Sequence, residues 1–398
     1  MAELNETPRG NRIHIAFFGL RNAGKSTLVN AFTGQPIAIV SDVAGTTTDP
    51  VSKAMEILPL GPCLITDTAG LDDEGKLGKV RVEKSLKVLE TVDIAVWVWG
   101  DEGRQNANLR ESSESARMFS DECQKRGVVV FEYRRGESVE ELKKKIAAVK
   151  LGDAMPGLLD GLVKKGDRVL CAVPIDESAP KGRLILPQQQ VIRECLDIGA
   201  VVTVCQPEDV RRETEDEVSR PDLVITDSQA FGQVRDALEG RLGRERTPGA
   251  PQALAKLTSF SILFARQKGD LKEYAKGLEA IRGLKDGDTV LVAEGCTHHR
   301  QCNDIGTVKI PKALERLSGR KLKFAFASGT SFPDPRSLIP NPSRIVHCGG
   351  CMLTRREMLR RIEVAKEAGI PIVNYGMVLA AVNGIGLEAL EGLGGLDR

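Results

Sequence analysis

Between Ile13 and about Lys150 the chain alternates short apolar runs with stretches of helical spacing. Ile13–Phe18 predicts a strand, Lys25–Thr33 a helix, and Ala54–Leu58 and Cys63–Thr66 two more strands. Val92–Trp99 is apolar throughout, the pattern of a strand buried on both faces. Trp97 and Trp99 share one face of it and read as core. Val128–Tyr133 predicts a further strand and Val139–Val149 an amphipathic helix. Such alternation predicts an α/β fold built on a parallel sheet.

Gly152 and Pro156 break the pattern and a second block begins. It predicts strands at Arg168–Pro174, Val201–Val204 and Leu223–Thr226, a helix at Gln188–Asp197, and a solvated loop or helix face over the charge-rich Glu208–Arg220. Gly240–Pro251 reads as a linker. From Ala253 onward a third block predicts strands at Thr289–Ala293, Lys323–Ala327, Arg344–His347 and Ile372–Asn374, with helices at Leu271–Leu284, Pro311–Leu317 and Arg355–Ala368. The expected domains are therefore 1–150, 151–250 and 251–398, the first with a parallel sheet and two smaller α/β domains after it. A length of 398 residues suits two or three domains at roughly 100–200 residues each.

A net charge of +1 argues against bulk binding to nucleic acid or anionic membranes. The polar first twelve residues predict no signal peptide, and no apolar run reaches the ~18 residues of a membrane span. A cytoplasmic protein is expected. In a reducing compartment nine cysteines are thiols, metal ligands or catalytic groups rather than a disulfide framework. Of the four histidines, His14 lies in the first strand; His298, His299 and His347 all flank cysteines.

Gly19-Leu20-Arg21-Asn22-Ala23-Gly24-Lys25-Ser26 matches G-x-x-x-x-G-K-[ST] between a strand and a helix, the context that motif requires. Its glycines let the backbone curl so that N–H groups, including those of Asn22, Ala23, Gly24 and Thr27, meet phosphates at a helix N-terminus. Lys25 reaches the terminal phosphates and the Ser26 hydroxyl suits Mg²⁺. Asp67-Thr68-Ala69-Gly70 follows a strand at the spacing of a second phosphate-sensing element, with Asp67 on Mg²⁺ through water and the Gly70 N–H on the γ-phosphate. Between them lies Gly45-Thr46-Thr47-Thr48-Asp49, in which Thr47 is the expected Mg²⁺ ligand and Thr46 and Thr48 are loop hydroxyls.

Over Ile13 to Val149 these motifs resemble the tRNA-modification and ribosome-assembly GTPases of the TrmE–Era class. The resemblance implies GTP and GDP as ligands, and a K⁺ ion held with help from Asn22 in place of an arginine finger. Leu71 stands where other GTPases carry a water-orienting glutamine, which implies slow, K⁺-stimulated hydrolysis. One departure is plain: no N-K-x-D, the guanine-reading motif, occurs in the chain. Val128–Tyr133 runs into Arg134-Arg135-Gly136-Glu137 and resembles the last strand of such a domain, so guanine specificity rests on the resemblance alone.

Cys296-Thr297-His298 follows one predicted strand and His347-Cys348-Gly349-Gly350-Cys351 another. Both groups fall at C-terminal strand ends, where α/β sheets build sites. The paired glycines of C-x-x-C let two thiolates converge, and Cys296 supplies a third. Thiolates suit zinc and iron–sulfur clusters alike. His298 and His347 are candidates for a labile fourth ligand or for donors that orient the site. His299 reads as a surface or packing residue, and Cys302, Cys63, Cys123, Cys171, Cys195 and Cys205 as structural.

C-x-H followed by H-C-x-x-C, after a P-loop domain, resembles the [FeFe]-hydrogenase maturation GTPases of the HydF family. So do Ala179-Pro180-Lys181-Gly182-Arg183-Leu184-Ile185-Leu186-Pro187, Ser259–Arg266 with Lys268-Gly269-Asp270-Leu271, and Glu294–His299 with Asp304-Ile305-Gly306. The resemblance spans nearly the whole chain. It implies a [4Fe–4S] cluster on Cys296, Cys348 and Cys351, and a transient diiron precursor completed with the radical-SAM maturases HydE and HydG. It also implies delivery to apo-[FeFe]-hydrogenase, and a homodimer or higher oligomer formed through about Gly157–Arg246. The alternative is a translation or tRNA-modification GTPase with a structural zinc site, against which the neutral charge counts.

Overall fold

The computed structural model describes residues 7–385 apart from 37–50, 59, 72–81, 83, 101–107, 150–154, 176–181, 183, 216–219, 240–255, 296–303 and 330–331; of 108–115 it describes the backbone alone. The chain divides into two compact units, Met1–Ala154 and Met155–Arg398.

The first unit runs β1 (Ile13–Phe18), α1 (Lys25–Thr33), β2 (Val51–Ile57), β3 (Gly61–Asp67), β4 (Ile94–Trp99), α2 (Asn108–Lys125), β5 (Val129–Arg134) and α3 (Val139–Ala148). Its five strands lie in the order β2-β3-β1-β4-β5. The contacts β3–β1–β4–β5 are parallel, while β2 pairs antiparallel with β3. The reason is the connection: only three residues separate Ile57 from Gly61, far fewer than a parallel crossover needs. Alternation along β1 sends Ile15 and Phe17 to the core shared with α1 and α3, and Ala16 and Phe18 to the core shared with Phe119 and Cys123 of α2. Trp97 is buried in that second core; Trp99 sits at its rim, half-buried, with its indole N–H donating to Glu132 (3.0 Å). β5 is the sheet edge beside β4. The chain then turns tightly, Glu137 N–H to Arg134 O at 3.0 Å, into α3, which packs on α1 with Lys143 Nζ 5.7 Å from the Phe32 ring centre.

The second unit holds two parallel four-stranded sheets. One contains β6 (Arg168–Ala172), β7 (Val201–Cys205), β8 (Leu223–Thr226) and β9 (Lys256–Ser259) in the order β7-β6-β8-β9, with helices α4 (Leu186–Ile198) and α5 (Phe231–Glu239). The other contains β10 (Thr289–Ala293), β11 (Lys323–Ala327), β12 (Arg344–His347) and β13 (Ile372–Asn374) in the order β11-β10-β12-β13. Its helices are α6 (Phe260–Lys268), α7 (Leu271–Ala280), α8 (Ile310–Ser318), α9 (Arg355–Glu367) and α10 (Tyr375–Val382).

Lys256–Ser259, which falls in the third block, is the fourth strand of the middle sheet and pairs with Leu223–Thr226. The segment read as a linker lies outside the described residues. Side chains of both sheets, from Cys171 and Phe231 to Val290, Ile345 and Met377, form one continuous buried cluster. The charge-rich Glu208–Arg220 opens with a helical turn, Val210–Glu213, whose Val210 is buried. α7 lies so close on β13 that a Cβ at Gly277 would stand 1.9 Å from Ile372 O.

Candidate functional site

The register of the first sheet brings the phosphate motifs together. Phe17 of β1 is level with Asp67 of β3, so the loop from Gly19 and the acidic end of β3 emerge side by side at C-terminal strand ends. Gly19 has φ +152°, and a Cβ there would meet Val98 O at 2.4 Å. Asn22, exposed, is the one non-glycine with positive φ among the described residues, at 59°. Gly24, at φ +87°, precedes α1, whose first residue is Lys25. Thr27 is exposed on α1 and Ala23 is buried. Lys25, 7% exposed, donates through Nζ to Leu20 O (2.7 Å) and Gly19 O (3.2 Å), which holds its charge inside the loop.

Ser26 Oγ donates to Asp67 Oδ2 at 2.6 Å. Asp67 is 1% exposed, and its other oxygen, Oδ1, is buried without a hydrogen-bond partner among the described residues. Burial pushes the carboxyl above its ordinary range, against the opposing pull of the Ser26 hydroxyl, Lys25 and the Thr68 N–H. A half-buried hydroxyl on a buried carboxylate with one orphaned oxygen is hard-cation chemistry and fits Mg²⁺. Thr68 Oγ1 donates to Phe17 O (2.7 Å), pinning the next turn to β1; Gly70 is buried, and Leu71 N–H meets Gly19 O at 3.3 Å. The Leu71 side chain packs against the core beside Leu20 and Trp99. Thr46, Thr47 and Thr48 lie outside the described residues.

The second site stands where β10 and β12 end side by side, with Ala293 level with His347. Cys348 N–H donates to Ala293 O (3.0 Å), and Gly295 N–H donates to Cys348 Sγ (3.1 Å). The residue before Cys296 therefore touches the sulfur of Cys348, although 53 positions separate them. Cys296, His298, His299 and Cys302 themselves lie outside the described residues, and among the described residues no three His, Cys, Asp or Glu side chains form a metal-holding group. Cys348 and Cys351 are half-buried free thiols in a turn where Gly350 has φ +67°. Burial pushes Cys348 up to about 11, with the neighbouring Cys351 adding to it and the Gly295 N–H opposing. Burial also raises Cys351, while Lys268 pulls it down. The N–H donor on Cys348 Sγ and the Lys268 charge acting on Cys351 are supports that would suit thiolates held by a metal.

His347 has no exposed surface and both ring nitrogens are engaged. Arg361 Nη1 can only donate, so Nε2 at 2.8 Å accepts, and the ring proton on Nδ1 donates to Cys348 O at 2.8 Å. Burial first, then the Arg361 charge, holds the imidazole down to about 3, so it is neutral at pH 7. Three residues around this turn escaped the sequence reading. Lys268 donates to the carbonyls of Leu353 (2.7 Å), Cys351 (3.1 Å) and Gly350 (3.3 Å). Arg361 also donates to Gly329 O at 2.8 Å, and Tyr274 lies wholly buried nearby. The available signal was a basic residue ending the apolar run Phe260–Lys268. Of the other cysteines, Cys63, Cys123, Cys171 and Cys195 are buried and Cys205 is half-buried.

Comparison with known proteins covers nearly the whole chain. Residues 14–132 match the family model of a 50S ribosome-binding GTPase, 158–269 that of the hydrogen maturase F dimerization domain, and 272–391 that of the hydrogen maturase F tetramerization domain. Among curated proteins, GTPase Der of Wolinella succinogenes is 42% identical over 99 residues, which is 24% of this chain and 20% of that one. The tRNA modification GTPase MnmE of Zymomonas mobilis is 39% identical over 87 residues, 22% of this chain and 20% of that one. The chain thus spans about a fifth of the length of these relatives. A crystal structure of Era in complex with MgGDPNP and 16S ribosomal RNA nucleotides aligns over 49% of this chain and 91% of that one at 18% identity, with a TM-score of 0.25, too low to carry an argument.

Proposed function

Because the chain belongs to the hydrogen maturase F family, we propose that it is a scaffold GTPase of [FeFe]-hydrogenase maturation, with a nucleotide switch at Gly19–Thr27 and Asp67–Gly70 and an iron–sulfur site at Cys296, Cys348 and Cys351. The observation that carries the metal site is the Gly295 N–H on Cys348 Sγ, which sets the residue before Cys296 against that sulfur. The partner chemistry is oligomeric: dimerization and tetramerization domains together occupy the second unit. HydE, HydG and apo-[FeFe]-hydrogenase are the proposed exchange partners.

In the first unit, Lys25 places its ammonium against the terminal phosphates, and loop N–H groups at the head of α1 receive the rest of their charge. Ser26 and Asp67 would hold Mg²⁺, with Thr47 completing the set and the Gly70 N–H sensing the γ-phosphate. Asn22 would help hold K⁺. Leu71, packed in the core, offers no group to orient water, which supports slow hydrolysis that depends on the monovalent cation. The short turn from β5 into α3 carries no N-K-x-D, so discrimination between guanine and other bases is expected to be weak.

In the second unit, a [4Fe–4S] cluster would offer an iron to which a diiron cargo attaches. Cys348 and Cys351 supply thiolates from one turn and Cys296 the third. His347 is a support rather than a ligand: its Nδ1–H fixes the Cys348 carbonyl and its Nε2 is taken by Arg361. His298 is left as the histidine for an exchangeable position. The test is metal analysis of the protein after anaerobic reconstitution with iron and sulfide. About four irons and four sulfides per chain are expected of such a cluster. One tightly held zinc without sulfide would instead support the translation-type GTPase with a structural metal.

A further inference from the structure

Two cations are buried beside the C-x-x-C turn. Lys268 has no exposed surface; Arg361 is nearly as deeply buried. The carbonyls of Gly350, Cys351 and Leu353 satisfy the Lys268 N–H groups, but they carry no net charge to neutralise it. The negative groups that act on Lys268 are Cys351, Glu357 and Cys348, and on Arg361 they are Cys348, Glu357 and Tyr274. Glu357 is committed to capping α9, its Oε2 receiving the Thr354 N–H at 2.7 Å and the Thr354 hydroxyl at 3.2 Å. Burial keeps the Tyr274 phenol protonated. The Glu357 carboxylate keeps its charge while it caps α9 and balances at most one of the two cations, so the anions left to balance the other are the two sulfurs when a metal holds them as thiolates. Lys268 also reaches them from elsewhere: it ends α6, which follows directly from β9 of the middle sheet.

Resting on the cluster reading above, we propose that Lys268 is a positioning residue that fixes the C-x-x-C turn through three carbonyls and supplies a buried positive charge favouring the more reduced state of the metal centre. One-electron reduction of a thiolate-bound cluster by a low-potential donor adds one negative charge and makes or breaks no bond. A fixed cation in a low-dielectric surrounding stabilises that added charge. A lysine that only filled space would leave the redox equilibrium unchanged.

The experiment compares the full chain with K268M and K268R, each reconstituted anaerobically and titrated with dithionite while the reduced cluster is followed by electron paramagnetic resonance. K268M is expected to shift the equilibrium toward the oxidised state by about tenfold, ~59 mV for one electron; K268R keeps the wild-type midpoint. In the metal-free proteins, hydrogen exchange of the peptide spanning Gly350–Thr354 is expected to quicken about tenfold in K268M. Should K268M not fold, K268Q, which removes the charge, takes its place in the titration, and K268A, which has no donor, takes its place in the exchange measurement. A wild-type midpoint in the neutral variant overturns the electrostatic role, and wild-type exchange there overturns the clamp. If the wild type takes up no iron, the cluster reading fails while the exchange measurement still decides the clamp.

Discussion

The Ser26 hydroxyl donates to the Asp67 carboxylate across 2.6 Å, and this bond ties the first turn of α1 to the end of β3. It uses one carboxylate oxygen and leaves the other buried and, among the described residues, unpartnered. The pair is thus arranged for a cation at a cost to the protein without one, because an unpaired buried carboxylate oxygen forfeits its hydration.

That cost has a sign that can be measured. Burial raises the Asp67 pKa, so the folded chain keeps this proton over a pH interval in which the unfolded chain has released it. Stability therefore falls as pH rises through that interval, and at pH 7 the ionised group destabilises the first unit. Asp67→Asn is expected to raise the melting temperature of the nucleotide-free first unit by about 2–4 °C, the effect of ~1 kcal/mol in a domain of this size, while abolishing Mg²⁺-dependent hydrolysis. Calorimetry in chelator checks the first; a lower melting temperature would contradict the burial argument.

Lys25→Ala removes the ammonium that the Gly19 and Leu20 carbonyls hold in the loop. GTP hydrolysis should fall by roughly two to three orders of magnitude, as for loss of one charge-stabilising donor, with iron content after reconstitution unchanged. Phosphate release and metal analysis on the same preparation separate the two. A variant that hydrolyses GTP at the wild-type rate would remove the P-loop from the activity.

Cys348→Ser replaces the sulfur that receives the Gly295 N–H. Cluster loading and hydrogenase activation should be lost, and nucleotide affinity, measured by titration calorimetry, should stay within about twofold, since the two sites belong to different compact units with cores of their own. Full maturation by this variant would sink the assignment of the turn as the metal site.

His347 gives a pH signature to the metal-free second unit. Its folded pKa, about 3, lies below the ordinary value of 6.5. Between those values the unfolded chain binds a proton that the folded chain excludes, so stability is lost as pH falls from 6.5 toward 3, at up to ~1.4 kcal/mol per pH unit. In His347→Gln, urea unfolding at pH 7 and pH 5 should show a smaller difference than in the wild type. An equal difference in both proteins would mean that other groups carry the acid sensitivity.

Most of this architecture could be read from the sequence because its elements are either alternating or amphipathic. Thr289–Ala293, Lys323–Ala327, Arg344–His347 and Ile372–Asn374 fall where their apolar runs predict, and Leu223–Thr226 and Lys25–Thr33 do too. The helices Phe260–Lys268 and Tyr375–Val382 were not legible. Each is buried nearly all round, so neither shows the 3.6-residue stripe by which a surface helix betrays itself. Lys256–Ser259 was hidden for a related reason: four residues after a polar Gly/Pro segment carry too little pattern to name a strand. At the candidate sites, the motifs identify the groups that would touch ligand, whereas Lys268 and Arg361 act through backbone carbonyls and a histidine ring. No spacing rule reports a lysine that reaches a turn 82 positions away.

α6 has a consequence for how the protein can be dissected or recombined. It closes the stretch matched by the dimerization domain, 158–269, yet its terminal ammonium grips the turn that carries Cys348 and Cys351 in the stretch 272–391. A fragment cut at that seam would leave three carbonyls of the cysteine turn without their donor. Chimeras that exchange the last domain between relatives should therefore carry Phe260–Lys268 across with it. The heritable module, by this measure, is the whole second unit, and the stretches matched by the dimerization and tetramerization domains are inherited together with the cysteine turn.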